Sequence, residues 1–154
     1  GFLKQKLNQT LSFPLKITLG SLLLFGLLTL VFRNKIIKYV EFLRFQKRHA
    51  DFVSNFKKLM RSEENTDTLQ KVISLWRERM ANLEGKPYDT LSSVEIEKES
   101  GQNVGQALRE IESSLFGSQK SERIPIALQI LFDKAREIYS IRKRLFRTQL
   151  KNTK

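Results

Sequence analysis

The sequence predicts an all-α protein, a single transmembrane helix followed by a four- to five-helix bundle on the cytoplasmic side. Three observations predict it. Residues 17–32, ITLGSLLLFGLLTLVF, form an apolar run without a single charge. Beyond that run, apolar residues recur at three- and four-residue intervals in stretches separated by Gly, Pro and capping residues. No stretch alternates long enough to make a strand.

The uncharged core of the apolar run would rise about 24 Å as a helix, short of a hydrocarbon layer of about 30 Å. Leu11, Phe13 and Leu15 extend it, and Lys16 can reach the headgroups along its own stem. Residues 11–32 are therefore expected to span the membrane. A cleaved signal peptide is the competing reading, since Lys4 and Lys6 would serve as its basic start. No small-x-small cleavage site follows, however, and Val31, Phe32, Arg33 and Asn34 form a stop-transfer flank. Lys4, Lys6 and Lys16 stand on one side of the span. Arg33, Lys35, Lys38, Arg44, Lys47 and Arg48 stand on the other, and this excess favours a cytoplasmic C-terminal part. Residues 1–10 read as an N-terminal tail or the stump of a larger extracytoplasmic part. Within the span, Thr18, Gly20, Ser21, Gly26 and Thr29 are small enough for a second helix to approach, without GxxxG spacing.

Residues 33–148 are expected to form the bundle, and residues 149–154 a basic tail. A first helix runs over 33–61, with no Gly or Pro to stop it. Its apolar face moves as it goes. Ile36, Tyr39, Val40 and Leu43 share one side; Phe45, Phe52, Phe56 and Leu59 lie nearly opposite, with Phe42, Val53 and Met60 at the edge. Such a helix should touch two different neighbours. Asn65, Thr66 and Asp67 can cap a second helix that runs to Leu83 and ends near Gly85; Leu69, Val72, Ile73, Trp76, Met80 and Leu83 form its stripe. After a break at Gly85-Lys86-Pro87-Tyr88, Ser92 and Glu95 have capping-box spacing for a short helix ending at Gly101. Asn103 is the expected cap of the next helix, with Val104, Ala107, Leu108, Ile111 and Leu115 on one face, ending at Gly117. Residues 118–122 are a polar loop. Pro125 suits the first turn of a last helix with Ile124, Leu128, Leu131, Ala135, Ile138 and Leu145 as its stripe.

The chain has a net charge of +12 over 154 residues, one His and no Cys. The absence of Cys removes disulfides, thiolate metal sites and cysteine nucleophiles. No GxxxxGK or GxGxxG phosphate cradle occurs. The charge is unevenly placed. Residues 1–61 carry twelve basic and two acidic side chains, residues 62–122 seven and twelve, and residues 123–154 nine and two. Basic clusters beside the span and at the tail fit anionic lipid better than a nucleic-acid reading element, so no nucleic acid is expected as a partner. If the last helix returns antiparallel to the first, Arg142, Lys143, Arg144, Arg147, Lys151 and Lys154 join Arg33, Lys35 and Lys38 as a lipid-facing group.

Candidate sites are few. His49, on the Phe42, Phe45, Phe52, Phe56 stripe, reads as a hydrogen-bonded residue at the core edge, with a pH sensor as the alternative. Trp76 belongs to a core stripe. Arg142 interrupts the apolar stripe of the last helix and could pair with a carboxylate of the acidic middle. Glu95, Glu97 and Glu99 read as a solvated acidic helix face, with a docking surface for a basic partner as the alternative; Glu95 and Glu99 lie one turn apart, too few oxygens for a cation site. Tyr88 is expected as an exposed loop aromatic. Ile36, Tyr39, Val40 and Leu43 complete the possible partner-binding set.

The order of parts, with a Pro-Tyr-x-Thr-Leu-Ser break from Pro87 and then ALREIESSLFG at residues 107–117, resembles the cytoplasmic tail of BatD-type proteins over residues 11 to about 146. These bacterial membrane proteins of the aerotolerance operon are encoded with MoxR-type AAA+ ATPases and von Willebrand factor A domain proteins. The resemblance implies a non-enzymatic subunit that tethers such partners to the membrane, with stress tolerance as its broad role and no cofactor. The β-rich outer region of that family is not in this sequence, and no catalytic residue carries over. A membrane-anchored scaffold or adaptor is the function expected. The alternatives are a small accessory subunit of a transport or respiratory assembly, and a membrane-tethered nucleotide- or nucleic-acid-binding regulator.

Overall fold

The computed structural model describes the backbone of residues 2–117 and 122–152, and side chains from Pro14 onward within those ranges. The side chains of Lys4, Lys6, Leu11 and Phe13, the loop at 118–121 and Lys154 lie outside the described residues. Among the described residues five helices follow in order: α1 (Phe2–Arg61), α2 (Thr66–Glu84), α3 (Ser93–Ser100), α4 (Gln102–Phe116) and α5 (Ile124–Asn152). Among the described residues there is no strand.

α1 is one uninterrupted helix of 60 residues. Its first half matches the apolar run, and its large apolar side chains from Leu15 to Phe32 are 46–72% exposed. This helix is long and apolar enough to cross a membrane, with a mean hydropathy of 2.1 in its most apolar window. Its second half belongs to the bundle. The other helices start and stop where their capping chemistry dictates. The Asn65 side chain accepts from the Thr68 N–H at 2.8 Å, and Gly85, at φ 67°, closes α2 by donating to the Ala81 carbonyl at 2.9 Å. Ser92 and Glu95 form the reciprocal capping box of α3. α4 departs from expectation: Asn103 lies inside it, and the turn at Gly101 (φ 108°) starts the helix at Gln102 with no side-chain cap. A positive φ supplied by glycine allows so sharp a junction between α3 and α4. Gly105 then lets α4 close on α3, because a Cβ there would stand 2.5 Å from the Glu97 Cβ.

The core lies among α2, α4 and α5, sealed by Phe52 and Phe56 of α1. Trp76, Met80, Ile96, Leu108, Ile111 and Leu131 are all fully buried. Trp76 keeps its indole N–H satisfied by donating to the Leu131 carbonyl at 2.7 Å. Tyr88 is a correction. It is 1% exposed, with its ring edge-on to Trp76 and its hydroxyl 2.8 Å from the Ser100 hydroxyl. The loop turns it inward because burying a large ring beside Trp76 outweighs leaving it in water. Arg77 fastens that loop, donating to the carbonyls of Tyr88 and Leu91 while pairing with Glu112 at 2.9 Å.

α5 runs antiparallel to α1. Phe132 meets Phe52 and Phe56, Tyr139 meets Phe45 and His49, and Phe146 meets Phe42 and Phe45. Past Ala135 this face is the main one covered, with Arg142 reaching Glu84 of α2 on another side. Leu145, expected in the stripe, is therefore 52% exposed, and Ile138 is only partly buried.

Candidate functional site

The part of the bundle nearest the apolar run is an aromatic seam rather than an aliphatic core. Phe42, Phe45, His49, Phe52 and Phe56 follow one another at alternating steps of three and four. Phe132, Tyr139 and Phe146 face them at steps of seven, the spacing that keeps two helices in register over several turns. Phe42 and Phe146 lie 5.3 Å apart between ring centres, and Phe45 and Tyr139 lie 5.1 Å apart. Cations flank the rings: Arg147 stands 5.9 Å from the Phe42 ring, Lys143 5.8 Å from Tyr139 and Arg79 5.9 Å from Phe45.

His49 sits in the middle of the seam, stacked on Tyr139 with 3.6 Å between ring centres and 3° between planes. It is buried at the edge of the core as expected, but its Nδ1 has no hydrogen-bond partner. Burial, followed by the positive charges of Arg79, Arg136 and Lys143, lowers its pKa to about 4. His49 is thus neutral at pH 7. Burial likewise pushes the Tyr139 phenol above its ordinary range.

The antiparallel return brings the two basic groups together. Lys35, Ile36, Lys38 and Tyr39 of α1 line one groove of about 460 Å³ with Leu150 and Lys151 of α5. Arg33, Lys35, Lys38, Arg144 and Arg147 are exposed, and Lys143 is half-buried along its stem. Arg142 pairs with Glu84 of α2 at 3.4 Å. Ile36, Tyr39, Val40 and Leu43 remain 38–60% exposed, Ile36 and Tyr39 along that groove. The moving apolar face of α1 thus has one half against its own bundle and one half uncovered.

The acidic candidates lie on the opposite, α3 side, and each has an intramolecular role. The Glu95 side chain completes the α3 capping box, Glu97 pairs with Arg109, and Glu99 pairs with Lys86, whose pKa that hydrogen bond raises. Exposed pairs of this kind hold their helices only weakly. Tyr88 is in the core and offers no surface. Among the described residues no group of three or more acidic or His side chains could hold a metal ion.

Three functional candidates escaped sequence reasoning. Tyr139 and Phe146 carried a signal in their seven-residue spacing from Phe132. Arg79 carried another, three residues after Trp76 on the buried face of α2. Comparison with protein-family models, curated proteins and solved structures finds no match to this chain. Its function is therefore argued from the site alone. Rings covered by cations, next to an exposed apolar helix, suit adhesion to an anionic, partly apolar surface.

Proposed function

We propose that the chain is a non-enzymatic, membrane-anchored adaptor, in which residues 11–32 cross the inner membrane once and the bundle sits on the cytoplasmic side. The antiparallel α1/α5 seam carries this reading. It brings Lys35 and Lys38 of α1 beside Lys151 of α5 at the end of the uncovered apolar helix, with Arg147 at the Phe42 ring and Lys143 further along the seam. Lys and Arg near an anionic leaflet are each worth about 1 kcal/mol, so this ring of charge would hold the bundle against the headgroups. The uncovered face of Ile36, Tyr39, Val40 and Leu43 would then lie at the interface, open to lipid or to a neighbouring helix. The resemblance to BatD-type tails supports the adaptor role and suggests von Willebrand factor A domain proteins and a MoxR-type ATPase as partners, in a stress-tolerance system.

Two measurements test it. Protease added outside intact cells should leave residues 33–152 undigested, and digestion of that part would reverse the orientation. Purification in mild detergent should retain protein partners when residues 11–32 are replaced by an unrelated apolar helix. Loss of every partner on that exchange would favour instead a small subunit recognised through its anchor.

A further inference from the structure

Arg79 is the least comfortable side chain in the bundle. It is 6% exposed, and its Nε and Nη2 have no hydrogen-bond partner. It forms no ion pair among those of the described residues, and its contact with the Phe45 ring, 5.9 Å away, is only a weak substitute for a counter-charge. Burial accordingly lowers its pKa. Natural folds rarely leave a buried guanidinium in this state, because the lost hydration is recovered only when an acceptor is present.

Beside it there is room for an acceptor, and because Nε and Nη2 themselves have no accessible surface, the guanidinium must swing outward to meet one. Arg79 lines a cleft of about 400 Å³ between α1 and α2, together with Arg48, Asn55 and Asn82, which can add donors, and with Asp51 and Glu78. Those two carboxylates are exposed and neither pairs with Arg79. They leave the cleft with no net charge, which disfavours a doubly charged anion. They also favour a ligand that brings a positive group beside its negative one.

We infer that this cleft is a docking site for an acidic side chain of a partner polypeptide, one flanked by basic residues, with Arg79 as the receiving cation. The carboxylate would take the fork of Arg79 and find further donors in Asn55, Asn82 and Arg48. The flanking basic groups would meet Asp51 and Glu78. The inference does not depend on how the chain sits in a membrane.

The test uses the full chain in detergent micelles and follows the Nε–H resonance of Arg79. Sodium acetate should shift it saturably, while sodium chloride at equal ionic strength should not. A lysine-glutamate-lysine tripeptide should act at lower concentration than a glutamate tripeptide. Arg79→Met should melt no lower than the native chain, since it removes an unpaired buried charge, and should lose tripeptide binding. An acetate titration that leaves the resonance unmoved, or moves it no more than chloride does, would overturn the inference. A tighter response to inorganic phosphate, or to the all-glutamate peptide, would overturn the choice of ligand. A large drop in melting temperature for Arg79→Met would make Arg79 a structural residue.

Discussion

The two ends of the bundle are built differently. At the far end, α2, α3, α4 and α5 enclose aliphatic side chains and Trp76, and among the described residues no buried side-chain polar atom there lacks a partner. At the near end, α1 and α5 meet through aromatic rings with the last turns of α2 alongside, with cations on the flanks and two buried polar side chains, His49 and Arg79, left unsatisfied. The first arrangement maximises burial per residue. The second leaves hydrogen bonding incomplete at two buried groups that lie beside exposed cations. Stability and recognition are thus divided between regions, and substitutions should reveal the division.

Leu131→Ala should have the largest effect. Leu131 is 0% exposed, so the substitution leaves a cavity and should cost about 2–5 kcal/mol, read from Trp76 fluorescence during denaturant unfolding. An unchanged midpoint would break the comparison at its stable end. Replacing Lys143, Arg144 and Arg147 together by Gln should weaken binding of residues 33–152 to vesicles rich in anionic lipid by about 3 kcal/mol, with little change in melting. Undiminished binding would remove the lipid seat.

The third test is pH. The unfolded chain protonates His49 near pH 6.5, whereas the folded chain does so only near pH 4. Between those values the unfolded state holds the extra proton. Acidification from about pH 6.5 to 4 should therefore cost about 3 kcal/mol, with no further loss from this residue below that range. His49→Phe should flatten that part of the stability profile, and an acid slope that persisted in the variant would have to arise elsewhere. The smallest effects sharpen the seam itself. Phe146→Ala should cost about 1–2 kcal/mol, as a half-buried ring, and Leu145→Ala less than about 0.5 kcal/mol by thermal melting.

Much of the far end was legible in the sequence because local chemistry determines it. The Asn65 and Ser92 caps, the left-handed Gly85 and the α2 stripe are all short-range effects, and they stand where expected. The departures are tertiary. Tyr88 lies in a Pro-containing loop, where nothing local says that Trp76 waits beneath it. Asn103 is a good cap residue overtaken by a glycine turn two positions earlier. Leu145 fits the helical period of α5, but that helix outlasts the core it was assumed to face. In the seam, the α1 half was readable as a stripe. Its partner rings on α5 are too sparse to stand out until the two helices are seen side by side. Arg79 shares the buried face of α2, but nothing local distinguishes a buried guanidinium from one that reaches solvent along its stem.

The continuity of α1 has a mechanical consequence. No hinge separates the greasy half of that rod from the half that carries the bundle, so any roll or tilt of one is imposed on the other. Each helical residue advances about 1.5 Å and turns about 100°. One alanine inserted after Asn34 would therefore swing the whole bundle more than a quarter-turn about the rod and carry its basic rim out of alignment. Whatever grips the first half of this rod also aims the second.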